Sequence, residues 1–117
     1  MNHLNNLIIE GVTLVKPEVI ERNPDTNEKA VIFSIENNRY TKNENGDVTK
    51  EALFFLVKSF GEIAEKILRV IQKDMPVRVV GRLAKLYSKD ESRKDGTIGI
   101  ICTHLEYQKG DKGFVAV

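Results

Sequence analysis

Cysteine is nearly absent from this chain. Cys102 is the one cysteine, so no intrachain disulfide can form. A lone thiol fits a reducing compartment, and a cytoplasmic location is expected. Long hydrophobic runs are also missing. No stretch reaches the roughly 18 apolar residues that cross a bilayer as a helix, so no membrane partner is expected. The N-terminus has no basic segment followed by an apolar one, which predicts no secretory signal. Soft metal ligands are scarce. His3, Cys102 and His104 lack zinc-site spacing and do not close a tetrahedral site. Cys102 and His104 lie two apart in an apolar strand and are expected to share a face, with Cys102 as a buried, inert thiol. Phosphate-binding loops, dinucleotide-binding turns and nucleophile elbows are absent. Glu62 and Glu65 fall on the wet side of a helix. No catalytic constellation, metal or cofactor is expected, so the chain reads as a non-enzyme.

An excess of one charge is missing too. Eighteen Lys plus Arg stand against 17 Asp plus Glu, a net charge of +1. The totals announce no strongly basic nucleic-acid binder. The distribution says more. From Gly61 to Asp90 the basic residues Lys66, Arg69, Lys73, Arg78, Arg82, Lys85 and Lys89 outnumber the acidic ones, whereas the first thirty residues lean acidic. A local basic face, which phosphate contacts need, is compatible with this, and so is an ordinary solvated surface.

The chain of 117 residues suits one domain. Leu4 to Val15 is apolar and β-branched and reads as a strand with a bend or bulge at Gly11. Lys16 to Glu28 holds Pro17, Pro24 and Asp25 and reads as a connection. Lys29 to Tyr40 is a strand. Asn45-Gly46-Asp47 is a turn signal, because Asn and Gly tolerate positive φ. Val48 to Phe60 follows as the other arm of a long hairpin. GEIAEKILRVIQKD carries the helical period, with Ile63, Ala64, Ile67, Leu68, Val70 and Ile71 on one face. Pro76 prevents its continuation. Pro76 to Tyr87 reads as a strand with a bulge at Gly81, and Thr97 to Tyr107 as another. GDKGFVAV shows no pattern. Three strands, a helix and two strands is the order of an OB-fold, a five-stranded Greek-key barrel with its helix between strands three and four. An α+β sandwich is the competing architecture.

Several stretches, in order, are LNNLIIEG, KPEV, AVIFSIENNRY, the pair Phe54-Phe55, FGEIAEKI and PVRVVGRL. Together they resemble the bacterial single-stranded DNA-binding protein family, from about Leu4 to Tyr107. The resemblance implies an OB-fold domain over residues 1–108 with a short C-terminal extension over 109–117. It also implies a homotetramer that binds single-stranded DNA with little sequence preference, protecting it in replication, recombination and repair. Tyr40, Phe54 and Phe60 match the family's stacking positions. Tyr87 matches another, although its spacing from Gly81 is about one residue short and needs a bulge. Every base has a π-face, so stacking tolerates any sequence. In LFFLVKSF, alternation puts Phe54, Leu56, Lys58 and Phe60 on one face and Leu53, Phe55 and Val57 on the other. Phe55 falls where the family makes its subunit contact. Arg39, Lys42, Lys50, Lys58, Arg82, Lys85 and Lys89 are the candidates for neutralising phosphates.

The departures are specific. The chain has no tryptophan, with which the family often stacks. Leu56, Ala84 and Leu86 stand where the family is more polar. Phe114 to Val117 carries no acidic tip of the kind that recruits replication and repair partners, so such partners are doubtful. The rival reading is an OB-fold interaction module, a tail-less adaptor in a replication restart assembly.

Overall fold

A computed structural model of the chain describes residues 1–86 and 97–117. The elements are β1 (Leu7–Thr13), β2 (Glu18–Arg22), β3 (Lys29–Lys42), β4 (Val48–Phe60), α1 (Gly61–Val70), β5 (Pro76–Leu86), β6 (Thr97–Gln108) and β7 (Phe114–Ala116). The sheet runs β1-β5-β6-β4-β3-β2, and β1 also pairs β3. That second pairing closes it into a ring. The β4–β6 contact is parallel; the other pairs are antiparallel. Ring closure with the helix between β4 and β5 is the OB-fold arrangement.

Closure depends on Gly11. There both edges of β1 come into use: Gly11 pairs Val77 of β5, and Val12 pairs Pro76 of β5 on one edge and Glu36 of β3 on the other. A Cβ on Gly11 would lie 2.8 Å from the Glu36 carbonyl oxygen, so only glycine permits the crossing. The β3–β4 hairpin is paired without interruption from Ala30↔Phe60 to Lys42↔Val48. Its turn is held by Asn43, whose Oδ1 accepts the N–H groups of Asn45 at 3.0 Å and Asp47 at 2.9 Å. Gly46 takes φ +87°.

Period two along the strands sends Val31, Phe33, Ile35, Val57, Val77, Val79, Ile100, Cys102 and Leu105 inward. Ala64, Ile67 and Ile71 from the helix side complete this core. Each large side chain buried there contributes about 1.5–3 kcal/mol. The helix ends at Val70, short of the Asp74 that periodicity allows. Ile71 is extended, and its N–H bonds Ile67 O. Buried Thr13 claims the following segment. Its hydroxyl donates to Gln72 O and accepts the Met75 N–H at 2.9 Å, and Asp74 N–H donates to Thr13 O at 2.8 Å.

Three other sequence expectations change. The segment read as a connection contains β2, which pairs β3 as an edge strand. The patternless end contains β7, which pairs β6 from Glu106↔Ala116 to Gln108↔Phe114. Cys102 and His104 do not share a face. Cys102 is opposite Gly81 and His104 opposite Val80, so Thr103 is an extra residue that reverses the alternation. Cys102 is buried and His104 exposed. Burial pushes the Cys102 thiol up to about 12.

Candidate nucleic-acid interface

Residues opposite one another in a ladder project from the same face of the sheet. The β3–β4 register therefore puts Tyr40 beside Lys50, Lys42 beside Val48, Glu36 beside Phe54 and Ile32 beside Lys58 on the outer face. Phe60 is on that face opposite Ala30. Lys58 aligns with Ile101, and Ile101 with Arg82, which carries the face across β6 to β5. Tyr40, Phe54 and Phe60 are 64%, 63% and 41% exposed. Six of the residues singled out in the sequence, Tyr40, Lys42, Lys50, Phe54, Lys58 and Phe60, thus share one side of one hairpin, and Arg82 extends it.

Local structure explains each placement. Tyr40, Lys42 and Lys50 lie on the arm of the hairpin beyond the barrel, where residues from Asn38 to Glu51 are exposed. Phe60 lies at the corner where β4 becomes α1. Gly61 turns this corner at φ +66°, a conformation that favours glycine. The Lys58 ammonium sits 5.1 Å from the Phe60 ring centroid, a cation–π contact. Lys50 reaches Glu36 at 3.4 Å.

Two of the sequence candidates point away. Arg39 pairs Glu51 and Lys85 pairs Ile98, both on the opposite face of their hairpins. Tyr87 and Lys89 lie outside the described residues. Glu36 and Asn38 share the aromatic face and were not singled out. Period two along SIENNRY, from Ser34 to Tyr40, carries that signal. Arg78 is basic but engaged elsewhere. Its guanidinium donates to Glu10 at 2.7 and 3.0 Å and to Glu106 at 3.4 Å, and it lies 4.3 Å from the Phe114 ring centroid. The Glu10 hydrogen bond is the main cause that raises its pKa, over a smaller opposing desolvation effect.

Among the described residues, a closed β-ring with one α-helix and an outer face of exposed aromatic and basic residues defines an OB-fold. Residues 4–108 match the single-strand binding protein family, and the chain belongs to that family. A single-stranded DNA-binding protein of Aquifex aeolicus is 34% identical over 83 residues, which is 71% of this chain and 56% of that protein. The chain thus spans about half the length of that relative. Among solved structures, a deletion mutant of the single-stranded DNA-binding protein from Thermus aquaticus superposes with a TM-score of 0.76 at 16% identity, over 96% of this chain and 54% of that one. The Plasmodium falciparum protein in complex with single-stranded DNA gives 0.74 at 17% identity, over 93% and 98%. These structural likenesses establish the shared fold.

Proposed function

We propose that the chain binds single-stranded DNA on the outer face of the β3–β4 hairpin, with little sequence preference. Tyr40, Phe54 and Phe60 stack on bases, and Tyr87 is a further stacking candidate. Lys42, Lys50, Lys58 and Arg82 neutralise phosphates along the same face. Arg39 and Lys85 extend the positive charge around the hairpin edges. The observation that carries the reading is the exposure of Tyr40 and Phe54 on one face with Lys42, Lys50 and Lys58. Large exposed aromatics leave apolar area in water unless a partner covers it. A base covers it with a π-face, worth about 1–3 kcal/mol per stacked base. The action is binding without a chemical step. The family relationship supports a role in replication, recombination and repair in the cytoplasm, and assembly as a homotetramer. Exposed Leu4 and Ile8 and half-buried Phe55 are apolar surface for such contacts. Several barrels on one strand would raise avidity.

The test is fluorescence anisotropy of a labelled oligo-dT of about 35 nucleotides, a length of several site sizes, titrated at several salt concentrations against a duplex of equal length. Tight, salt-sensitive binding to the single strand alone is expected. Absence of binding at low salt would contradict the reading.

A further inference from the structure

Glu21, Ala30 and Phe60 stand in register across β2, β3 and β4 and so project from one face. Ala30 is buried and forms a small floor. Adjacent strands lie about 4.8 Å apart, so the backbones of Glu21 and Phe60 are about 10 Å apart across that floor. The space between them is a cleft of about 410 Å³ whose wall continues through Asn23 and Glu28. Small-molecule sites run from about 300 to 1,000 Å³. A bulge aims the carboxylate here. Val19 pairs Val31 and Glu21 pairs Ala30, which leaves Ile20 as the extra residue. Without it, Ile20 would face Ala30, and Glu21 would project from the other side. Two cations also line the cleft: Lys29, engaged by Glu65 at 3.0 Å, and Arg22, which stands in register with Lys29 on the other face of β2. Among the described residues, neither Glu21 nor Glu28 makes an ion pair.

From this geometry we infer that the cleft is a base-reading subsite that favours bases carrying an exocyclic amino group, cytosine, adenine and guanine, over thymine. The inference rests on the single-strand-binding reading and deepens it. A base stacked on Phe60 points its edge across the Ala30 floor toward Glu21. An ionised carboxylate only accepts hydrogen bonds. Cytosine, adenine and guanine present an amino donor, whereas thymine has no amino group and flanks its N3–H with two carbonyl acceptors, which the carboxylate repels. Stacking remains tolerant of sequence at the other positions, so the preference is confined to one base in each barrel.

The test compares oligo-dC and oligo-dT of equal length, for the unaltered chain and for Glu21→Gln, with Glu62→Gln as a control on the exposed side of α1. The unaltered chain and Glu62→Gln should prefer oligo-dC by about fivefold, the low end of the range for a bidentate base contact. Glu21→Gln should bring the ratio toward one, because an amide offers both a donor and an acceptor. Equal affinities for the unaltered chain, or a preference that survives Glu21→Gln, would overturn the subsite and leave strand binding intact. Failure of both oligomers to bind would overturn the strand-binding reading and the subsite with it.

Discussion

Glu36 stands directly across the β3–β4 ladder from Phe54 and holds the Lys50 ammonium at 3.4 Å. A phosphate drawn to Lys50 must compete with this carboxylate. Exposed pairs of this kind contribute about 0–1 kcal/mol. Glu36→Gln should therefore strengthen single-strand binding by about two- to fivefold, read as a lower Kd by anisotropy at low salt. The gain should shrink as salt is raised.

Lys58 serves Phe60 as well as phosphate. Lys58→Ala should weaken binding about equally for different sequences. It should also reduce the slope of log K against log salt by about 0.7, the value for one phosphate contact on a single strand. A salt titration with two homopolymers reads both effects. An unchanged slope would remove Lys58 from the phosphate contacts.

Gly81 is a packing requirement of the ring. A Cβ there would clash with the Ile101 carbonyl oxygen, backbone that is fixed by pairing. Gly81→Ala should destabilise the chain by at least the roughly 1–3 kcal/mol typical of overpacking. At about 4 °C per kcal/mol, the melting temperature should fall by several degrees or more. A scanning calorimetry trace unchanged from the parent chain would contradict the close approach.

The Cys102 thiol predicts a pH effect. Its pKa rises from 9.0 in water to about 12 in the fold, because burial disfavours the thiolate. The folded state therefore holds the proton more tightly than the unfolded one. This contribution to stability is fully present below pH 9 and is lost as pH rises toward 12. Denaturant unfolding of Cys102→Ala should lack this part of the alkaline decline. At pH 8 a thiol reagent should label the parent chain at the rate of unfolding.

Much of this architecture was legible in the residues. Asn45-Gly46-Asp47 marked the hairpin tip, and alternation in LFFLVKSF put Phe54, Lys58 and Phe60 on one face, where the register has them. Gly81 marked the irregularity that occurs between Val80 and Gly81. What escaped has physical causes. β2 pairs only one neighbour and is exposed along its whole length, so it shows no inward and outward alternation, and Pro17 and Pro24 flank it. β7 is three residues long and relies on the β6 edge. The extra residue Ile20 reverses a face without any local marker such as glycine, and the extra residue at the Gly81 irregularity, Thr103, lies on the partner strand, away from its marker. The helix stopped early because Thr13, distant in sequence, binds the segment after it. Arg39 is next to Tyr40 in sequence but points the other way, since neighbours on a strand project oppositely.

The most direct measurement is the oligo-dT affinity of the Tyr40→Ala, Phe54→Ala double variant, taken alongside its melting temperature. Both side chains are more than half exposed, so their loss should leave the melting temperature nearly unchanged. If both rings stack on bases, binding should weaken by about 2–6 kcal/mol, from 1–3 kcal/mol per base. A folded double variant that binds oligo-dT as tightly as the parent chain would contradict the assignment of this face as the binding surface.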